Sequence, residues 1–347
     1  MISIYICLYF LLLGSFAAAR LVSVQIVLPP QSDFSIKCNV AYLIQAGAAA
    51  ACSRSQGMCE AQPAIVPPTQ KLEEYSHALI KASQSDLIIA LGQQAADAWN
   101  SVGQNIVNNS TFVILDYEYP SSAPNVASAV FLEEHEGFLA GIVAGLFARD
   151  LNRLPAVISG SNSTSLSYTR LVNGFANGVK SVCSECGVLC IYAESLVKNV
   201  LGEYYAQIFL KHGADVLWNA GGGAMGTAAL KAFAVAGKPV IGHGTDQWCS
   251  DWAVGALPNS QQVLTSIVRN YTVLVQAIID LYLANRLKLG MTTLFGIESG
   301  AISYAPCNEA CDLVTPGMRY DVNKAAEMIW SGQSRWISTK DSGSKTD

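Results

Sequence analysis

The sequence predicts an α/β protein with two lobes, each a doubly wound parallel sheet with helices on both faces. From residue 21 onward, short runs of apolar and often β-branched residues alternate with amphipathic helical stretches. Strands and helices that alternate in this way form parallel sheets that are covered on both faces. The runs are too numerous for one compact sheet, so the sequence indicates two lobes.

The predicted strands are continuously apolar, as strands buried on both faces are, and they cover residues 21–28, 86–92, 111–117, 155–160, 188–195, 214–222 and 239–244. Helices are predicted between them, including an alanine-rich helix over Val40–Cys52 and a helix that opens at Gln93. Another predicted helix, Glu133–Ala148, carries acidic residues in its first turn, namely Glu133, Glu134 and Glu136. The helix macrodipole stabilises acidic residues there, which accounts for them without a catalytic role.

Composition and the N-terminus indicate a secreted globular protein. Hydrophobic residues make up 51% of the 347 residues and charged residues 14%. The net charge is −5 and the 21 Lys and Arg residues are scattered, which argues against nucleic acid as a partner. Residues 1–19 have the pattern of a signal peptide that ends in Ala17-Ala18-Ala19, although the alternative of an uncleaved anchor stays open. Residues 331–347 are polar and are predicted to form a flexible tail.

The cysteines also indicate a secreted protein that folds in an oxidising compartment. Removal of the signal leaves nine of them, at Cys38, Cys52, Cys59, Cys183, Cys186, Cys190, Cys249, Cys307 and Cys311. In an oxidising compartment, closely spaced cysteines are disulfides more often than metal sites. We therefore predict disulfides with an open pairing and one odd thiol, and neither a metal nor another cofactor. Sequons at Asn108, Asn109, Asn162 and Asn270 favour a glycoprotein.

A glycine-rich loop, Gly221–Gly226, joins the predicted strand over 214–222 to a helix. Glycines let a backbone approach a ligand, and a helix N-terminus has free N–H donors. We expect Gly222, Gly223 and Met225 to contact a ligand. The alternatives are a tight strand–helix turn and a nucleotide phosphate loop, and the latter lacks the acidic residue expected about 20 positions later.

Polar side chains follow other predicted strands, namely Asp246, Gln93 and Asp116. In open α/β sheets, ligands bind at the carboxyl ends of the strands. A carboxylate such as that of Asp246 can accept both vicinal hydroxyls of a ribose, with about 1.5–3 kcal/mol from each charge-assisted hydrogen bond. The alternative for Asp246 is a helix N-cap or a solvated carboxylate in a turn.

Three segments resemble the basic membrane protein family, whose best understood branch is the purine nucleoside receptors with a periplasmic-binding-protein (type I) fold. They are VFLEEHEGFLAGIVAGLFA (130–148), GADVLWNAGGGAMG (213–226) and IGHGTDQW (241–248). The resemblance covers nearly the whole mature chain. It implies that two lobes, joined by several chain crossings, close on a small molecule such as a nucleoside. A membrane transporter or receptor is the implied partner.

By this resemblance, lobe one comprises residues 20–130 and 266–287, and lobe two comprises residues 131–265 and 288–330. The glycine loop takes the place of the family's AGGTGxG segment, and Asp246 that of the aspartate in GxDxDQ, which binds the ribose. Ser266 lies in a VLTS segment shared with the family, and Arg269 stands where lysine is usual. Because arginine spreads its donors in a planar fork, the contact geometry should differ. Both residues are expected at a crossing between the lobes, where they face the cleft and contact the ligand, with a hinge or surface role as the alternative.

The chain departs from the family after the first strand, where relatives carry a DDxSFNQ-like run with an aromatic residue that stacks on the base. Residues 32–39 read SDFSIKCN here. Asn39 matches the asparagine of the run, so Cys38 replaces the aromatic residue. Phe34, beside Asp33, is a substitute from one turn earlier. Stacking contributes about 1–3 kcal/mol per base, so this departure bears on the choice of ligand.

Catalysis is less favoured than binding. The chain has no G-x-S-x-G nucleophile motif and no Asp-rich calcium pocket near the N-terminus. His243 and Asp246 form the only acid/base-like pair. A structural position at the end of a predicted strand explains His243 better than a catalytic role does. The alternatives to nucleoside capture are a receptor-ectodomain-like sensor of another polar metabolite and, less favoured, a nucleoside-processing hydrolase.

Overall fold

The computed structural model describes residues 20–30, 35, 37–106, 110–119, 123–149, 153–161 and 166–330. Several predicted features lie outside the described residues, namely the signal peptide (1–19), the tail (331–347), Asp33, Phe34, Asn108, Asn109 and Asn162. The remaining sequon residue, Asn270, is described. Its side chain caps a helix by accepting a hydrogen bond from the Val273 N–H.

The strands follow the predicted alternation with helices. In chain order they are β1 (Val22–Val27), β2 (Cys59–Ala61), β3 (Leu87–Leu91), β4 (Thr111–Leu115), β5 (Val126–Phe131), β6 (Leu154–Gly160), β7 (Leu189–Ala193), β8 (Ala214–Asn219), β9 (Val240–Gly244), β10 (Val263–Arg269), β11 (Thr292–Phe295) and β12 (Ile302–Tyr304). Within the described residues they form two six-stranded sheets, ordered β11-β5-β4-β3-β1-β2 and β12-β10-β9-β8-β6-β7. Neighbouring strands are parallel except for β10 and β12. The predicted α/β fold with two parallel sheets is confirmed.

Helices cover both faces of each sheet. They are α1 (Val40–Arg54), α2 (Leu72–Ala82), α3 (Gly92–Ile106), α4 (Glu133–Arg149), α5 (Leu166–Val182), α6 (Asn199–Lys211), α7 (Gly223–Val235), α8 (Gln247–Ser250), α9 (Tyr271–Leu283) and α10 (Pro316–Trp330). Alternate residues of a strand enter different cores: Ile89 packs with α1 and α9, whereas Ile88 packs with α2 and α3. In the second sheet, α4 and α5 cover one face, and α6 and α7 the other. Burial on both faces explains why the strands are apolar throughout.

Helices α4 and α5 pack at unusually close range because glycines line their contact. A Cβ atom on Gly141 would lie 2.1 Å from the carbonyl oxygen of Phe175. One on Gly178 would lie 2.2 Å from that of Phe138. Helix α4 is buried on nearly all sides as a result, which sets the environment of its polar residues.

Each sheet has one point at which the order of its strands reverses. In the first sheet the chain moves outward from β1 to β2 and then returns to β3 on the other side of β1. In the second sheet the same reversal separates β6 from β8. Loops diverge at such points and leave a crevice at the carboxyl ends of the strands. The fold therefore offers a ligand crevice beside β1 in one lobe and beside β8 in the other.

The chain crosses between the two sheets after β5, after β10 and between β11 and β12. Two of these positions differ from the expected boundaries. Strand β10 stays in the second sheet up to Arg269, so residues 266–269 belong with lobe two. Strand β11 pairs with β5, so Thr292–Phe295 belongs with lobe one rather than lobe two. Both strands are placed by partners far away in sequence, which no local pattern indicates.

Candidate functional site

A cavity of about 960 Å³ lies mainly on the second lobe and is bordered by the start of α1 from the first lobe. From the first lobe, Asn39 and Val40 line it, just after the loop that leaves β1. The second lobe contributes the loops after β8 and β9, with Gly222, Gly223, His243, Thr245 and Gln247. The cavity continues along the outer face of α7, beside Thr227 and Lys231. Strand-end loops, where ligands bind in this type of sheet, thus form only part of the wall. Helix α7 and residues Asn199, Glu203 and Gln207 of α6 form most of the rest.

The glycine loop owes its shape to two left-handed residues. Gly222 has φ 65° and Gly223 has φ 67°, a region that side chains with a Cβ rarely adopt. The Gly222 N–H donates to Oδ1 of Asn219, which holds the loop against the end of β8. Helix α7 begins at Gly223, so its first N–H groups lie beside the cavity. Gly222 and Gly223 line the cavity, and their contact with a ligand stays a prediction.

Met225 does not reach the cavity, contrary to the role expected for it. Its side chain is fully buried in the core between the second sheet and α6. The helical period explains the difference, because residues 225 and 229 of α7 face Gly202 of α6 while residues 224 and 228 line the cavity.

Asp246 caps helix α8, which was the alternative weighed for it from the sequence. Its Oδ1 accepts a hydrogen bond from the Trp248 N–H at 3.1 Å. Burial raises the pKa of this carboxyl group, and the backbone N–H groups of Cys249 and Trp248 offset only part of that effect. Thr245 and Gln247, the residues on either side of Asp246, line the cavity, whereas Asp246 itself is not among the lining residues. A half-buried carboxylate at this rim can serve as a cap and still accept a hydroxyl through its other oxygen.

Gln247 organises the rim, a role that the sequence did not indicate. Its Oε1 accepts the His243 N–H, and its Nε2 donates to Asp251. Its own N–H donates to the hydroxyl of Ser266 at 3.0 Å. Ser266 was expected to face the ligand, yet it is fully buried and holds α8 in place. The structure thus gives Ser266 a supporting position behind the cavity wall.

Arg269 and Asp116, both expected to contact a ligand, bind each other across the two lobes. The Arg269 Nη1 lies 2.9 and 2.7 Å from the two carboxylate oxygens of Asp116. The hydroxyl of Tyr271 donates to the same carboxylate. Asp116 is held with φ 55°, an uncommon left-handed conformation outside glycine. In this conformation the pair ties the end of β4 to the end of β10 near the crossings.

Glu136 is the buried partner of this arginine. Its side chain is 0% exposed, and its oxygens accept from Nε of Arg269 at 2.7 Å and from Nη2 at 3.1 Å. Its Oε2 also lies 2.7 Å from Nε2 of His243. Burial alone would raise the pKa of Glu136, but the charges of Arg269 and His243 outweigh it and lower the pKa to about 2. The helix macrodipole alone does not explain Glu136. Helix α4 is buried on nearly all sides, so the carboxylate of Glu136 lies in the core and needs buried partners.

The cysteines form four disulfides, Cys38–Cys249, Cys52–Cys59, Cys183–Cys186 and Cys307–Cys311, and Cys190 is unpaired and exposed. The first of them joins the two lobes at the rim of the cavity. Beside it, Asn39 lines the cavity while its Oδ1 caps α1 by accepting from the Ala41 N–H. Gln93 is exposed at the start of α3, next to the strand-order reversal of the first sheet.

Neither a metal site nor a membrane span is found among the residues described. No group of three or more His, Cys, Asp or Glu side chains there is placed to hold a metal ion. Over the same part of the chain, every helix is too short or too polar to cross a bilayer.

Two mostly parallel sheets, each with one reversal of strand order and joined by several crossings, define a two-lobed fold of the periplasmic-binding-protein type I class. The fold resembles that of a solute-binding protein of an ABC transporter system from Aeropyrum pernix K1, with a TM-score of 0.66, 17% identity, and coverage of 92% of this chain and 94% of that one. It also resembles a transcriptional activator of the comK gene from Bacillus halodurans, with a TM-score of 0.70, 15% identity, and coverage of 90% and 99%.

Residues 46–316 match the family described as ABC transporter substrate-binding protein PnrA-like, and the chain belongs to this family. It is a family of substrate-binding proteins. Over 172 residues the chain is 30% identical to the CD4+ T-cell-stimulating antigen of Listeria monocytogenes serovar 1/2a. The aligned region covers 48% of this chain and 46% of that protein. Over 236 residues it is 26% identical to the ABC transporter nucleoside-binding protein BmpA of Lactococcus lactis subsp. cremoris, with 65% of each covered. The chain thus spans less than two thirds of the length of these relatives.

Proposed function

We propose that this protein is secreted and captures a nucleoside between its two lobes without altering it. The observation that carries the proposal is the cavity itself, which the loops after β1, β8 and β9 line together. A relative in the same family is named as a nucleoside-binding protein, which supports the choice of ligand class. A membrane transporter or receptor is the partner to which the captured ligand would pass.

In this proposal, polar groups from both lobes bind the nucleoside. The second oxygen of Asp246 accepts ribose hydroxyls, because a carboxylate is an acceptor with several lone pairs. The backbone N–H groups at the start of α7 donate to oxygen or nitrogen acceptors of the ligand. Asn39 approaches from the other lobe, so the ligand is enclosed only when both lobes contribute. Closure then follows from the preference of the ligand for the enclosed state.

The proposal can be tested by calorimetric titration of the mature protein with adenosine, inosine, nucleobases, amino acids and sugars. We expect a nucleoside to bind, and a 2′-deoxynucleoside to bind about tenfold or more weakly, because one charge-assisted hydrogen bond is lost. Asp246→Asn keeps the helix cap but removes the charge, so it should weaken ribonucleoside binding and erase the preference over the deoxy form. Asp246→Ala should abolish binding. Asp280→Asn, which alters an exposed carboxylate on α9, is the matched control.

Different results would point elsewhere. An undiminished preference for the ribose in both Asp246 variants would rule out the role of this carboxylate. Binding of an amino acid or a sugar in place of any nucleoside would refute the ligand class. Release of a free base from the nucleoside during incubation, followed by chromatography, would favour a hydrolase.

A further inference from the structure

The disulfide Cys38–Cys249 joins residues that are 211 positions apart, with 6.3 Å between the Cα atoms. Cys38 lies in the loop between β1 and α1 of the first lobe. Cys249 lies in α8 of the second lobe. The other three disulfides close loops of 3 to 7 positions within a single lobe. Cys38–Cys249 is therefore the one disulfide in the described part of the chain that crosses between the lobes.

On the side of the first lobe, this bond lies away from the chain crossings. The crossings leave β5, β10 and β11, and in the first sheet β5 and β11 stand at one edge. Strand β1, which leads to Cys38, stands three places beyond β5, and neighbouring strands are about 4.8 Å apart. In the second sheet, β9 leads to Cys249 and adjoins the crossing strand β10. The disulfide thus ties the two lobes together at a second place, beyond the crossing strands of the first lobe, and restrains their separation.

The bond also adjoins the cavity directly. The first-lobe residues that line the cavity, Asn39 and Val40, follow Cys38 in sequence. From the second lobe, Ser250 and Asp251 follow Cys249 and line the same cavity. The disulfide itself is half-buried, in contrast to the buried Cys52–Cys59 pair, so a thiol reagent can approach it. Any movement that withdraws Asn39 from the cavity has to pull against this bond.

We infer that the Cys38–Cys249 disulfide is a redox-controlled latch that limits how far the ligand cleft can open, and that a dithiol reductant removes this limit. The inference rests on the proposed function only in taking the cavity as the ligand site. A thiolate of the dithiol attacks one sulfur and forms a mixed disulfide, and the other cysteine leaves as a thiolate. The second thiol of the reductant then displaces the remaining cysteine. Two electrons and two protons pass to the protein, which gains two thiols, and the reductant becomes a cyclic disulfide.

The experiment measures lobe separation without any ligand. Tryptic peptide mapping under non-reducing conditions should first show Cys38 and Cys249 in one cross-linked fragment. Small-angle X-ray scattering should then give a larger radius of gyration for Cys38→Ser/Cys249→Ser than for the wild type. Treatment with dithiothreitol should enlarge the wild type towards that value and leave the double variant unchanged. Cys183→Ser/Cys186→Ser, which removes a disulfide within one lobe, should behave as the wild type does. Circular dichroism confirms that each variant is folded.

The second measurement is the release of bound adenosine, followed by stopped-flow competition. Because release waits for the lobes to open, we expect it to be about tenfold faster in the double variant or after reduction. Absence of the cross-linked peptide, or equal radii of gyration for all forms, would overturn the latch. If the radii change as expected but adenosine does not bind to any form, the latch stands and the nucleoside proposal fails.

Discussion

Replacement of Arg269 by methionine should lower the free energy of unfolding by about 3–5 kcal/mol, the range for removing one partner of a buried ion pair. The structure places most of this cost on Glu136, whose side chain is 0% exposed and would keep a buried charge with only His243 beside it. Asp116 contributes less, because its side chain is 28% exposed and water can replace the arginine. The two costs are therefore not expected to add.

Two companion variants separate charge from geometry. Arg269→Lys keeps the charge but loses the planar fork that serves both carboxylates, so its cost should be smaller, about 1.5–3 kcal/mol. Arg269→Met combined with Glu136→Gln removes both the arginine and the fully buried negative charge. It should be more stable than Arg269→Met alone, because no buried carboxylate is left without a partner.

Urea denaturation gives the free energies, with tryptophan fluorescence and circular dichroism as two probes, since a protein with two lobes need not unfold in one step. The change of the free energy of unfolding with pH is an independent test of the role of Glu136. The folded-state pKa of Glu136 is about 2 against an ordinary value of 4.5, so its contribution is complete above pH 4.5 and is lost as the pH falls towards 2. In Arg269→Met burial is no longer opposed by the arginine, so the pKa rises and acidification below neutral pH should stabilise the variant.

The reasoning would be refuted by an Arg269→Met protein that unfolds within about 1 kcal/mol of the wild type, the value typical of an exposed pair. It would equally be refuted if the double variant Arg269→Met/Glu136→Gln were less stable than Arg269→Met alone.

Three other substitutions, one of them with a control variant, test the cavity rim, the packing of the helices and the surface. Asp246→Asn should stabilise the unliganded protein at neutral pH, because asparagine caps α8 equally well and carries no buried charge. Burial raises the pKa of the Asp246 carboxyl group, so the wild type loses stability as the pH rises through the folded-state pKa. Thermal melts between about pH 4 and 8 should therefore show that the advantage of the variant grows with pH. Gly141→Ala should cost about 1–3 kcal/mol or more in chemical denaturation by forcing α4 and α5 apart, whereas Gly187→Ala, which meets only a leucine methyl group at 3.3 Å, should change little. Lys238→Ala removes a partly exposed ion pair and should cost less than about 1 kcal/mol, so a larger loss in the same assay would contradict the assignment.

The candidate site was predictable where the signal was local. Gly222 and Gly223 of the glycine loop and Asn39 follow strands at the expected places, and all three line the cavity. Met225 was misplaced because a one-residue step along a helix turns a side chain by about 100°. Arg269 and Asp116 were recognised as residues near the cleft, but their mutual pairing was not, since 153 positions separate them in the chain.

The sequence by itself determined the two parallel sheets and the loops that could meet a ligand, because strand burial, helix periodicity and glycine turns act over a few neighbouring residues. Tertiary structure alone decided which sheet β11 joins, which cysteine Cys38 meets, and that Glu136 is a buried ion partner rather than a surface acid. These outcomes depend on which groups the folded chain brings within a few ångströms of one another, and contacts between distant segments leave no periodic trace in either segment.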